Sequence, residues 1–208
     1  PERPSVEQEV EQGLYFLTGS IWEAVPRLQI DLDQGLRAAG GEAESAPPVI
    51  RLRSWIGGDR DGNPRVTAGV SRWTLRRLRG AALEAHLREL DELEDELAVS
   101  ERLVPVPEEL RDCLRSDLEE LSAEVDVAGE TDAIGRLAAE PHRLAVRLLR
   151  LRLSALLREL RADGEIRADA FGSADYRRRL DLLDESLAPA GLAEAAREGQ
   201  LGRVRLLA

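Results

Sequence analysis

A long helix capped by Thr67 or Ser71 and reaching about Val99 restricts the fold more than any other stretch. Leu75, Leu78, Ala82, Ala85, Leu90, Leu93 and Leu97 recur at helical spacing, and no proline intervenes before Pro105 and Pro107. A stripe of this kind must be buried against other helices. The rest of the chain supplies them. Ser5-Val6-Glu7-Gln8 has the form of a capping box opening a helix to about Thr18. A second helical stretch covers Trp22 to Ala39, with Pro26 tolerated only near its first turn and Gly40-Gly41 as its stop. Glu108 to Glu124 is amphipathic, and Asp126 to Ala138 reads as a loop punctuated by Gly129 and Gly135. Pro141 suits the first turn of a helix reaching about Arg161, with Leu144, Leu148, Leu151 and Leu156 as its stripe. After a loop around Asp163 to Gly172, shorter helices cover Asp175 to Leu187 and Leu192 to about Ala196, and a last one ends near Leu207. The expectation is about six to eight helices.

One segment reads differently. Val49 to Trp55 is the one convincing strand, after a polar turn from Glu42 to Pro48. A lone strand cannot satisfy its own backbone groups, so either its partners lie outside this chain or the segment is not a strand. It runs into Ser54-Trp55-Ile56-Gly57-Gly58-Asp59-Arg60-Asp61-Gly62-Asn63-Pro64, a tight, charged loop. Glycine lets backbone turn sharply and lets a ligand approach it closely. A strand, a charged glycine loop and then a helix is the order in which α/β barrels place their chemistry.

Composition narrows the function. Aromatic residues are 3% of the 208, so any core is mainly Leu, Ala and Val. The formal net charge of −11 repels phosphate backbones, which argues against general nucleic-acid binding. Cys113 stands alone and cannot form an internal disulfide, in keeping with a reducing cytoplasm. There is no run of apolar residues long enough to cross a bilayer and no signal peptide. All basic residues are arginine, a bias expected of a GC-rich genome, and the absence of methionine suggests a piece of a longer chain.

The run SWIGGDRDGNPRVT, Ser54 to Thr67, closely resembles a signature of bacterial-type phosphoenolpyruvate carboxylase. Arg3-Pro4 and Gly13 to Pro26, ending Ile21-Trp22-Glu23-Ala24-Val25-Pro26, look like that family's segment closing in a tryptophan and a Val-Pro pair. Glu140-Pro141-His142-Arg143 is similar to its E-P-Y-R, with His142 in place of the tyrosine. Phe171 to Ala208 is similar to the family's helical stretch before a further barrel strand. The likeness spans essentially the whole chain, and GGDRDGNP is its specific part. The family's H-P-T motif, arginine-glycine loop, acidic metal ligands and effector site are not in this sequence.

The resemblance implies a mainly α segment of a larger TIM-barrel-like α/β-barrel enzyme. Residues 1–208 would be one helical segment of its catalytic domain, with 49–66 as a barrel strand and active-site loop. The implied activity is that of a lyase. Phosphoenolpyruvate is carboxylated with bicarbonate to oxaloacetate and phosphate, through phosphoryl transfer to bicarbonate and carboxylation of the enolate. Arg60 and Asp61 become the catalytic candidates, and Trp22, Trp55, Gly57 and Gly58 the substrate-binding ones. Arg60 offers a planar guanidinium to carboxylate or phosphate. Asp59 and Asp61 would orient it, and Gly57 and Gly58 would offer backbone N–H groups as an anion nest. Trp55 would stand near the carboxylation pocket and Trp22 would wall the phosphoenolpyruvate pocket. Mg2+ or Mn2+ is the implied cofactor, with no ligand in this chain. The implied partners are the remainder of the same polypeptide and a cytoplasmic homo-oligomer, without nucleic acid or membrane. The isolated segment is expected to be inactive.

Other readings of the same residues stand beside these. Asp59-Arg60-Asp61 can be a salt-bridged knot that only fixes the loop, and the whole chain a non-enzymatic helical scaffold with leucine-rich docking faces. Asp59, Asp61 and Asn63 mimic the start of a calcium loop, but Pro64 and Val70 stand where glycine and glutamate are needed. His86 and His142 are expected to be solvated or satisfied helix residues, and Cys113 and Trp73 ordinary ones. The run Glu89 to Glu96 is expected to be a solvated face, and the arginines from Arg143 to Arg161 to pair with acidic helices.

Overall fold

A computed structural model describes residues 4–40, 49–50, 53–59, 61, 63–124, 131–162 and 171–208. These residues are mainly α-helical, and no strand occurs among them. None of their helices is long and apolar enough to cross a membrane. They fall into two compact units, Pro1–Ala85 with Leu207 and His86–Leu206 with Ala208.

In the first unit, α1 (Val6–Phe16) opens on the expected capping box. Ser5 Oγ accepts the Gln8 N–H at 3.2 Å, and Gln8 Oε1 accepts the Ser5 N–H at 2.9 Å. The helix ends near Thr18, as expected, and the chain kinks across Leu17–Ile21 into a second helix, α2 (Trp22–Ala38). Gly19 leaves helical geometry there, at φ −108° and ψ −109°. Pro26 lies within α2 and has no N–H to donate to the Trp22 carbonyl. The first part of α3 (Ala68–Glu96) completes the unit. Thr67 caps it, its Oγ1 accepting the Val70 N–H at 3.3 Å. Val10, Leu14 and Ala81 form a small core, against which Trp73 and Leu78 pack. Two residues of the expected stripe face outward: Leu75 is 66% exposed, Ala82 is exposed, and Ala81 is buried instead. The bidentate Arg77–Glu11 pair, at 2.6 and 2.7 Å, joins α3 to α1 at the surface.

Residues 49, 50 and 53–55 form no strand, and 51 and 52 lie outside the described residues. An extended segment becomes a strand only beside a neighbour that takes up its N–H and C=O groups. Val49 instead donates its N–H to Gln29 Oε1 of α2, at 3.1 Å.

The second unit takes the rest of α3, then α4 (Glu108–Glu124), α5 (Thr131–Arg136) with a 3-10 turn (Leu137–Ala139), and α6 (Pro141–Ala162). A further helix, α7 (Ser173–Leu187), leads through a 3-10 turn (Ala188–Ala190) to α8 (Ala193–Glu198) and α9 (Gln200–Leu207). The loop expected from Asp126 to Ala138 therefore contains helix from Thr131, because Gly135 is accommodated inside α5. Leu90, Leu93, Leu110, Leu148, Leu149, Leu180, Leu183 and Leu201 are fully buried and supply the core. Gly202 lets α9 approach α8: a Cβ there would come within 2.6 Å of the Arg197 carbonyl carbon.

The acidic run Glu89 to Glu96 is not one solvated face. Glu89 and Glu94 are buried, each among arginines. Arg143, Arg147 and Arg150 recur along one side of α6, and all three meet Glu94; Arg147 and Arg150 lie 2.7 and 2.6 Å from it. Arg203 holds Glu89 at 2.6 Å. Asp117 takes Arg152 and Arg179 at 2.7 and 2.6 Å, and both guanidinium groups lie over the Phe171 ring. Arg197 and Arg205 hold Asp184 at 2.9 and 2.8 Å. A buried carboxylate is tolerable when paired and hydrogen-bonded in this way, and a planar fork of donors does it best.

Candidate functional site

The glycine loop belongs to the first unit, and short side-chain bridges shape it. Ser54 Oγ accepts the Ile56 N–H at 3.2 Å, Asp59 Oδ1 the Asp61 N–H at 3.1 Å, and Asn63 Oδ1 the Arg65 N–H at 3.1 Å. Each is a two-residue step, the way Ser, Asp and Asn stabilise turns. Between them the Trp55 carbonyl accepts the N–H groups of both Gly58 and Asp59, at 3.0 and 3.2 Å. Gly58 thus spends its N–H inside the turn.

Gly57 is the pivot. Its φ of +72° is left-handed, a conformation glycine adopts without steric cost. Its backbone lies flat on α3, where a Cβ would stand 2.8 Å from both Cβ and Cγ2 of Thr74. Ile56, beside it, reaches Gly13 of α1. Val66, at the far end of the loop, is buried. Trp55 points outward and is 78% exposed, and Asp59 and Asp61 are exposed as well. Arg60 and Gly62 lie outside the described residues.

Trp22 is half-buried and opens α2 just after the kink at Gly19. Trp73 packs on the core of the first unit as expected. Two contributors to the loop were not singled out from sequence, Thr74 and Gly13. Gly13 did carry a signal: glycine inside a helix costs roughly 1 kcal/mol against alanine, so it marks a close approach.

The other titratable groups lie in the second unit. His86 is half-buried with its Nδ1 3.4 Å from the Tyr176 hydroxyl, and burial pulls its pKa down to about 4 against the opposing pull of Glu89. Burial also pushes the Tyr176 phenol above its usual range. His142 was expected to be solvated or satisfied and is neither: it is 0% exposed, with no hydrogen-bond partner on either ring nitrogen. Burial depresses its pKa too. The Cys113 thiol is pushed up by burial and by the Asp117 carboxylate, the opposite of an activated nucleophile.

What fold and loop define is a mainly α segment that carries one stitched loop pivoting on a glycine. A sequence model of the family described as phosphoenolpyruvate carboxylase matches residues 1–202. The phosphoenolpyruvate carboxylase of Rhodothermus marinus is 41% identical over 207 residues, covering 100% of this chain and 21% of that protein. That of Thermus sp. (strain 71) is 34% identical over 194 residues, covering 93% of this chain and 19% of its own length. That of Rhodopseudomonas palustris (strain BisA53) is 37% identical over 209 residues, at 98% and 21%. The chain belongs to the phosphoenolpyruvate carboxylase family. It spans about a fifth of the length of these relatives.

Proposed function

We propose that this chain is part of the catalytic domain of an enzyme that carboxylates phosphoenolpyruvate with bicarbonate, giving oxaloacetate and phosphate. The observation that carries the reading is the family match over residues 1–202. The loop supports it, because its bridges and its glycine pivot are the features of backbone held in a set shape for a ligand. In this reading, residues 49–66 are a barrel strand and its loop, and the strand finds its partners in the remainder of the polypeptide. The complete enzyme is a cytoplasmic homo-oligomer.

Arg60 is the residue assigned to the anionic substrates. Charge develops on phosphoryl and enolate oxygens during the reaction, and a preorganised guanidinium stabilises it there. Asp61 keeps the arginine oriented. Gly57 and Gly58 bring backbone close to the substrate, while Trp55 and Trp22 supply rigid faces that exclude water from the enolate. The reading calls for Mg2+ or Mn2+ to polarise the phosphoryl oxygens. Among the described residues no group of three or more His, Cys, Asp or Glu is placed to hold a metal ion. The buried carboxylates of Glu89, Glu94, Asp117 and Asp184 already face arginine, so they do not fit one. The reading assigns the metal ligands to the remainder of the polypeptide, and in it the isolated 208-residue chain forms no oxaloacetate.

The scaffold reading needs leucine-rich faces free to dock, and the second unit buries most of its leucines, with Leu103 and Leu192 exposed singly. The test is Arg60→Ala in the full-length enzyme. Turnover should fall roughly 10²–10³-fold, as it does when one donor to a developing oxyanion is removed, with the melting temperature unchanged. Unaltered turnover in the folded variant would overturn the assignment.

A further inference from the structure

We infer that Thr74 is a positioning residue for the glycine loop, acting through the shape of its side chain; this rests on the reading of the loop as part of the active site. Thr74 is 2% exposed and lies on α3. Its hydroxyl donates to the Val70 carbonyl at 2.9 Å, which fixes its rotamer. Its Oγ1, Cβ and Cγ2 together fill the space where Gly57 has no side chain, with Oγ1 the nearest of the three. Gly57 is therefore seated on a stiff, branched, buried side chain, and its left-handed φ presses the loop backbone against it. A second grip lies one residue away, where Ile56 bears on Gly13 of α1.

Two grips on adjacent residues fix the turn in position and in angle. Trp55 precedes them and projects into solvent, and the Trp55 carbonyl closes the same turn. Hollowing the seat lets the turn sink toward α3 and carries Trp55 with it. A misplacement of about 1 Å costs as much as 10²-fold in rate without touching the reacting atoms. Valine has the same branched outline as threonine without the hydroxyl, so it keeps the seat.

The experiment compares Thr74→Ala, Thr74→Val and Arg60→Ala in the full-length enzyme, reading kcat, KM for phosphoenolpyruvate and melting temperature. Thr74→Ala should lower kcat about 10-fold or more with KM little changed, and Thr74→Val should recover most of it. If Thr74→Ala fails to fold, the second grip gives the same reading: Gly13→Ala lowers kcat, and adding Ile56→Val, which removes the contacting methyl, restores it. Should Thr74→Ala keep full turnover while Arg60→Ala loses it, the positioning role falls and the loop assignment stands. If Thr74→Val falls as far as Thr74→Ala, shape is not what matters and the inference is wrong. Full activity in both Thr74→Ala and Arg60→Ala would remove the loop from the active site altogether.

Discussion

The two units solve the problem of a charged, leucine-rich sequence in opposite ways. The second draws its charges inside: four carboxylates are buried and each is gripped by arginine, around a closed leucine core. The first keeps a core of a few residues, pairs Glu11 with Arg77 in solvent, and leaves Tyr15, Phe16, Trp55 and Leu75 exposed. One region is built to be rigid by itself. The other holds a loop in a set shape on a modest base, and that is where the family signature lies. The closed core and the family signature thus lie in different stretches of one chain.

The sharpest way to break this comparison is to unpair a buried charge. Asp117→Ala takes the carboxylate from Arg179, leaves Arg152 paired with Glu120, and should cost about 3–5 kcal/mol of stability by urea unfolding of the chain. Glu11→Ala in the first unit should cost at most about 1 kcal/mol, since solvent screens that pair. Equal losses would erase the distinction.

Acid should weaken the second unit next. His86 titrates near 6.5 in the unfolded chain and near 4 in the fold. As pH falls through this window the unfolded state binds its proton first, so stability is full above about 6.5 and declines toward 4. The loss from His86 alone is at most about 3 kcal/mol, and His142 adds in the same direction. Urea midpoints between pH 7 and 4 should flatten in His86→Gln. An unchanged slope would remove the histidine from the account.

Gly57→Ala should cost about 1–3 kcal/mol, from a left-handed alanine and its overlap with Thr74. Amide exchange should show the loss in the first unit, with Leu148 and Leu183 as slow as before. The smallest effect runs the other way. His142→Leu replaces a ring with two unpartnered nitrogens by an apolar side chain of similar size, and should be neutral or gain about 1 kcal/mol. A clear loss would reveal a polar partner for the imidazole.

Local rules made much of this visible in the sequence. The Ser5–Gln8 capping box, the α4 limits at Glu108 and Glu124, and the start of α6 at Pro141 follow from caps and prolines acting over a few residues. The glycine loop was legible as a motif. What was missed depends on residues far apart in sequence. Glu94 looked solvated because its arginines are 53 and 56 residues away, and nothing near it announces them. Ala81 is buried in place of Ala82, and Leu75 faces outward, because spacing gives the faces of a helix, not which of them meets a neighbour. Thr74 drew no attention because its importance lies in a backbone with no side chain, folded onto it from the preceding loop. Arg60, the residue on which the motif places the chemistry, lies outside the described residues, so its assignment rests on the sequence.

The absence of lysine reaches beyond codon usage. Every cation that clasps a buried carboxylate here is a guanidinium, which retains its proton past pH 12. An ammonium clasp would begin to discharge near pH 10. These ties should therefore survive strongly alkaline solution, and whatever fails first in base will be something other than the charge network of the second unit.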